Sequence, residues 1–463
     1  MNKYKNLIQN IGIFTLANFT TRILNFLILP LYTYYLTTKE YGTIDLVNSV
    51  IQLLYPIFTL SIVDAVLRFG ISEKDKVKEI FSIGIEIIFI GFLVLCFGGF
   101  VSHFYIKDNV LIVCFLLIYL TQSINSLMGA VAKIINKIKE LAIITTVTSV
   151  SILLFNVYLI AVQKQGIRGY WTATILGNAI GIILYVAVCR LHKYFVFTFA
   201  FKKIISLTRQ MLKYSIPLIP NALFWWINSS LDRWTLTFFC GLSVVGQYSC
   251  ANKIPTILST VNTVFSQAWN ISLFQNFDEH GRNSFYENIY YYFNEIIFCC
   301  SIGIIMLSKI IGQLMFSKDF FSAWIYIPLL TAGLYYNCLN SFIGSLFTAS
   351  KKTKYIFTTT LAGSLANLFL NIPMVYMWGA IGAALATLIS YIWVFIIRIR
   401  KASALFCIEH DKRRIAFQFA FILLETFFVM KDVLLPLVIG AVVLYCSCFG
   451  LRNFKKFINF PNK

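Results

Sequence analysis

Apolar residues in this chain come in long blocks separated by short polar connections, at about 8–36, 44–70, 80–101, 110–131, 141–162, 171–190, 214–240, 248–274, 289–316, 325–349, 356–376, 380–400, 414–430 and 433–450. A helix needs about 20 residues to cross the roughly 30 Å hydrocarbon layer, so the blocks predict about fourteen transmembrane helices. No connection exceeds about 25 residues, which leaves no room for a soluble catalytic domain. The expected fold is all-α and polytopic.

The blocks are not uniformly apolar. In the first, Thr15, Asn18, Arg22 and Asn25 recur at i, i+3, i+7 and i+10, within about 80° of one another on a helix. The opposite face is Leu16, Ile23, Leu24, Leu27 and Leu31. Arg22 falls at mid-span, where a cation costs roughly 3 kcal/mol or more unless it faces a polar interior. It is therefore a candidate substrate ligand; the alternative is an arginine paired to another helix. Similar stripes run through Asn48, Gln52, Tyr55 and Thr59, through Asn221, Trp225, Asn228 and Asp232, and through Asn252, Thr256, Ser259, Thr263, Ser266 and Asn270. Polar faces are costly against lipid, so the stripes are expected to meet in a central cavity, or else to hydrogen-bond between helices inside each half. Asp232 is ionisable, lies within the bilayer and continues a polar stripe, which makes it the candidate coupling-ion site; its alternative role is to neutralise a neighbouring helix or Arg233.

The halves of the chain resemble each other. Asn18 and Asn25 reappear as Asn221 and Asn228, and Gly42 and Asn48 as Gly246 and Asn252. Gly166-Ile167-Arg168-Gly169 with Ala173-Thr174-Ile175 parallels Gly379-Ala380-Ile381-Gly382 with Ala386-Thr387-Leu388. Matched stretches in one order argue for duplication of a six-helix unit, with the two copies in the same orientation. The expected organisation is a first lobe at 1–190, a basic linker at 191–213, a second lobe at 214–400, and two further helices with a tail at 401–463. The linker carries Lys193, Lys202, Lys203, Arg209 and Lys213 among Phe195, Phe197, Phe199 and Phe201, a composition suited to the inner membrane surface.

Composition agrees: 59% of residues are hydrophobic and 13% charged, with mean hydropathy +0.76. The net charge of +20 would suggest nucleic acid in a soluble protein. Of the 39 Lys and Arg, however, 28 fall in the tails and even-numbered loops, 6 in odd-numbered loops, and 5 within helices: Arg22, Arg68, Arg233, Lys253 and Lys309. By the positive-inside rule both termini are cytoplasmic, and no nucleic acid is required. The first helix lacks a small-residue cleavage site and is expected to be retained. The 11 Cys lie almost all in apolar blocks and the 4 His are scattered, so neither a metal site nor a cofactor is expected; Cys240 and Cys250 flank one short outer loop as a possible pair. Asp64 and Arg68, at i and i+4, predict a local salt bridge, and Glu86 and Glu295 are expected to pair with loop cations. Lys253 and Lys309 are close enough to the outer surface to snorkel. Glu425, in the middle of a block, has no assigned role. There is no phosphate-cradling Gly-rich loop with a Lys and no loop pair of carboxylates or His, so no catalytic residues are assigned and an enzyme is not expected.

Leu29-Pro30-Leu31-Tyr32-Thr33 through Tyr35-Leu36-Thr37-Thr38-Lys39-Glu40-Tyr41-Gly42, together with Thr21-Arg22-Ile23-Leu24, the stretch from Ala65 to Arg68-Phe69 and the stretch from Gly379 to Thr387, resembles the bacterial polysaccharide-unit flippases, or O-antigen transporters. Members of that family often carry a basic residue where Tyr34 stands here. The resemblance implies a two-lobed fold shared with multidrug exporters of the MATE type and with peptidoglycan lipid flippases. It also implies an oligosaccharide cargo on a polyprenyl diphosphate, carried across the bacterial inner membrane, with polysaccharide polymerase and chain-length machinery as partners. The residues agree at one point of chemistry: a diphosphate calls for a buried cation and sugars call for amides and stacking aromatics, which Arg22, Asn18, Asn25, Asn221, Asn228, Asn252 and Trp225 would supply. Two other classes remain open. An exporter of organic cations calls for an acidic, aromatic cavity, against which Arg22 counts, and a non-transporting scaffold needs no polar stripes.

Overall fold

The computed structural model describes residues 24, 26–104, 108–194, 201–275, 282–350, 352–406 and 412–431. Asn18, Arg22, Asn25 and the block at 433–450 lie outside the described residues. The chain divides into two compact units, Met1–Ser230 and Leu231–Lys463. The described residues form sixteen α-helices and no strand. The first nine are α1 (Leu29–Tyr35), α2 (Thr38–Phe58), α3 (Ile62–Ser72), α4 (Val77–His103), α5 (Asn109–Ile134), α6 (Ile138–Asn156), α7 (Gly166–Val188), α8 (Phe201–Ser215) and α9 (Leu218–Cys240). They are followed by α10 (Leu242–Lys253), α11 (Thr256–Gln275), α12 (Arg282–Met306), α13 (Ser308–Met315), α14 (Ile327–Ala349), α15 (Thr353–Phe406) and α16 (Lys412–Met430).

Among the described residues six helices are long and apolar enough to cross a membrane, or seven if the bent pair α2 and α3 is one span. The chain is thus a multi-pass membrane protein. Several expected spans are broken. The 44–70 block bends by 52° between α2 and α3, where Pro56 removes a backbone donor and Leu60 and Ser61 turn left-handed with φ 51° and 48°. The 248–274 block splits at Ile254 and Pro255 for the same lack of an N–H. The expected blocks 356–376 and 380–400 are the two helical arms of α15, separated by the non-helical turn at Gly379.

Lipid tails are as apolar as Leu, so close packing and interhelical hydrogen bonds hold these helices together. In the first unit, Ile62, Val66, Ile80, Leu127 and Val131 form one buried cluster, to which α8 contributes Leu207 and Met211. Ile51, Leu95, Ile118, Tyr119 and Trp171 form another. Two residues of the α2 polar stripe bond inside this unit: Asn48 Nδ2 donates to the Tyr170 hydroxyl at 3.2 Å and Tyr55 O–H to Ser126 Oγ at 2.9 Å. Trp226 Nε1 donates to the Ser49 carbonyl at 2.7 Å.

The second unit packs Phe265 on Phe293 and Trp269 on Phe342, with centroids 4.3 and 4.9 Å apart. Arg398, 7% exposed, spreads its guanidinium over neutral oxygens: Thr359 Oγ1 at 2.9 Å, Thr360 Oγ1 at 2.9 Å and the Asn340 carbonyl at 2.7 Å. On α16, Gln418 accepts from Asn294 and donates to Glu295, each at 2.8 Å.

Three local expectations change. Asp64 and Arg68 are both exposed and form no ion pair with each other, since an exposed i, i+4 pair in water gains little over separate hydration. Cys240 and Cys250 are free thiols. Glu86 forms no ion pair among the described residues and is half-buried in a cleft wall, while Glu295 accepts from an amide on α16. Lys309 rests its ammonium 5.7 Å from the centre of the Trp324 ring.

Candidate functional site

The best-organised polar site is in the second unit and centres on Asp232, the fifteenth of the 23 residues of α9. Three helical segments supply its partners. Tyr248 of α10 donates its hydroxyl to Oδ2 at 2.6 Å. Asn371, in the first arm of α15, donates Nδ2 to Oδ1 at 2.6 Å. Thr387, in the second arm, donates Oγ1 between the two oxygens, 3.0 Å from Oδ2 and 3.3 Å from Oδ1.

Gly379 makes this convergence possible. Its φ of 56° and ψ of −131° lie where a Cβ clashes with the backbone, so the turn that brings 353–378 and 380–406 back alongside each other demands glycine. Asn371 and Thr387, sixteen positions apart in sequence, thereby reach one carboxylate. The orientation of the Asn371 amide follows by elimination: an ionised carboxylate only accepts, so Nδ2 faces Asp232 and Oδ1 turns to Thr235 Oγ1, at 2.5 Å.

Chemically the site gathers hard oxygens: two from a carboxylate, three from the hydroxyls of Thr235, Tyr248 and Thr387, and one from an amide. Its described donors to Asp232 are all neutral. Such a set suits a proton or a small hard cation, whose ligands are oxygens. In membrane spans, ionisable groups of this kind belong to ion and proton pathways.

The other sequence candidates are dispersed. Asn221 is exposed and Trp225 is 60% exposed; Asn228 lies in α9; Asn252 is half-buried in α10. Arg22, Asn18 and Asn25 lie outside the described residues. On α11, Thr256 and Thr263 donate to carbonyls of Lys253 and Ser259 in the preceding turn. Tyr248, Asn371 and Thr235 were not singled out from sequence. Asn367 and Asn371, at i and i+4 inside an apolar block, were the available signal, and Thr387 was noted only as a repeat marker.

Two quoted motifs have a structural role. Thr37 and Glu40 form a capping box on α2: Thr37 Oγ1 accepts from the Glu40 N–H at 3.2 Å, and Glu40 Oε2 accepts from the Thr37 N–H at 2.8 Å. The other Glu40 oxygen accepts from the Ile167 N–H at 3.4 Å, which ties the Lys39-Glu40-Tyr41-Gly42 stretch to the start of α7. Gly166 there has φ 55°, nearly that of Gly379, the glycine it matches in the sequence repeat.

The sequence pattern of the family described as "Polysaccharide biosynthesis protein" matches residues 7–270. A putative O-antigen transporter from Shigella dysenteriae is 22% identical over 408 residues, covering 85% of this chain and 99% of that protein. Among solved structures, a lipid II flippase, MurJ, in an inward closed conformation aligns with TM-score 0.70 and 17% identity, over 96% of this chain and 99% of the flippase. An inward-facing multidrug resistance MATE family transporter aligns with TM-score 0.64 and 13% identity, over 83% and 95% respectively.

Proposed function

Because the chain belongs to the polysaccharide biosynthesis protein family, we propose that it is a flippase, which moves a polyprenyl-diphosphate-linked oligosaccharide unit across the bacterial inner membrane by alternating access. The observation that carries this reading is the similarity, over 85% of this chain, to a putative O-antigen transporter, joined to a fold like that of a lipid flippase. The charge distribution supports a cytoplasmic location for both termini and for the linker at 191–213. The matching left-handed glycines at 166 and 379 support two repeated six-helix lobes, at 1–190 and 214–400, followed by two additional helices.

In this proposal Arg22 contacts the diphosphate, with the Asn and Trp residues of the stripes serving the sugars. The sequence carries no phosphate-cradling Gly-rich loop with a Lys, so uphill transport draws on an ion or membrane-potential gradient. Asp232 is the ion's site: the carboxylate takes up a proton or Na⁺ among Tyr248, Asn371 and Thr387, and occupancy shifts the balance between inward-open and outward-open forms. The test has two arms. Arg22→Ala abolishes surface polysaccharide at unchanged protein level in the membrane, and Arg22→Lys retains part of it. Asp232→Asn flips substrate in vesicles at a rate indifferent to an imposed ion gradient. Wild-type export by Arg22→Ala, or a wild-type gradient response from Asp232→Asn, overturns the corresponding assignment.

A further inference from the structure

A second site lies in the first unit, where the amphipathic helix α8 closes against α4 and the bend between α2 and α3. Leu207 and Met211 anchor α8 in the core, and its adjoining face stands off from α4. Between them is a cleft of about 1100 Å³. Its walls are mainly apolar: Ile57, Phe58, Ile87, Ile90, Ile205 and Ile216. Along α4 the cleft runs from Ile83 to Val94, which at 1.5 Å per residue is about 16 Å. That is about half the ~30 Å hydrocarbon layer, the depth of one leaflet. Ile90 and Val94 are exposed on the outer surface of α4, so the cleft opens toward lipid.

Three charged side chains line the same space: Arg209 and Lys213, one turn apart on α8, and Glu86 on α4. The two cations are exposed and Glu86 is half-buried. Neither cation forms an ion pair with Glu86. A partly desolvated carboxylate among isoleucines is costly without a partner. The arrangement therefore calls for an occupant with an anionic group for the α8 cations, a cationic group for Glu86, and a long apolar tail.

We propose that the cleft between α4 and α8 is a binding site for one inner-leaflet phospholipid with an amine headgroup, its phosphate held by Arg209 and Lys213, its ammonium by Glu86, and an acyl chain along α4. The amine distinguishes this occupant from phosphatidylglycerol and from polyprenyl phosphates, which leave Glu86 unpaired. The site is independent of the proposed coupling site, since its residues and those around Asp232 belong to different units.

The full-length protein, delipidated in detergent, is titrated with phosphatidylethanolamine, phosphatidylglycerol and undecaprenyl phosphate and followed by native mass spectrometry. One phosphatidylethanolamine is expected to be retained at least tenfold more tightly than either of the others. R209Q/K213Q lowers that retention at least tenfold, and E86Q removes the preference over phosphatidylglycerol. Ile90→Trp, which fills the apolar cleft without touching a charge, excludes the lipid and provides a check should a charge variant fold poorly. Equal retention of phosphatidylglycerol by the wild type, displacement by undecaprenyl phosphate, or unchanged retention in the variants overturns the proposal.

Discussion

Replacing Asp232 with Leu removes the acceptor on which the donors of Tyr248, Asn371 and Thr387 converge. Thr387 can turn its hydroxyl to a carbonyl one turn back along α15. Tyr248 and Asn371, both buried, have no such local alternative, so two buried donors are left unsatisfied. Stranded buried donors cost about 1–3 kcal/mol each in proteins generally, while hydrogen bonds between membrane helices average about 0.6 kcal/mol. Two of them together give an expected loss between about 1 kcal/mol on the membrane figure and about 6 kcal/mol on the general one. Asp232→Asn is different, because the amide keeps one acceptor oxygen for Asn371 and can direct its NH₂ to the Tyr248 hydroxyl oxygen, which accepts by rotating its own proton away. Its expected loss is about 1 kcal/mol, the worth of one ordinary hydrogen bond. Equilibrium unfolding of the purified protein in mixed micelles, titrated with dodecyl sulfate, measures both. Adding Asn371→Ala to each background gives the coupling directly. The reasoning fails if Asp232→Leu unfolds within about 0.5 kcal/mol of wild type, or if Asn is more damaging than Leu.

Other substitutions test the backbone and the remaining buried charge. Gly379→Ala meets no close neighbour except Cys240 Sγ at 3.6 Å, so its expected loss of about 1–3 kcal/mol is conformational; Gly303→Ala, in a helix with open space around it, is expected to stabilise by up to about 1 kcal/mol, and an equal effect at both sites in the same unfolding assay would refute the account. Glu425 is 2% exposed, and its two oxygens have no hydrogen-bond partner among the described residues. Glu425→Leu is therefore expected to raise the unfolding midpoint, by about 1–3 kcal/mol of removed desolvation, and a lower midpoint would give Glu425 a role. For topology, a reporter fused after Lys203 is expected to signal from the cytoplasm and one at Arg168 from the periplasm, and either result reversed would invert the orientation.

Segment by segment, the sequence determined what lipid demands of each helix. A long apolar block must be helical because its backbone has no other partner in the bilayer, so the all-α, multi-pass architecture was legible without coordinates. So was Asp232, because a carboxyl inside such a block is expensive and stands out by position alone. The glycine repeat was legible as a pattern. Helical periodicity gives the face on which a residue lies; it says nothing about which other helix that face meets. Tertiary structure decided that Asn48 and Tyr55 of the α2 stripe bond to Tyr170 and Ser126 within their own unit, and that Asp64 does not pair with its helical neighbour Arg68. It also decided that Asp232 meets Tyr248, Asn371 and Thr387. The last arrangement depends on one backbone turn, at Gly379, that sets two helices side by side. Contacts between positions far apart in sequence arise from that fold-back and from helix packing, and the one-dimensional pattern carries neither.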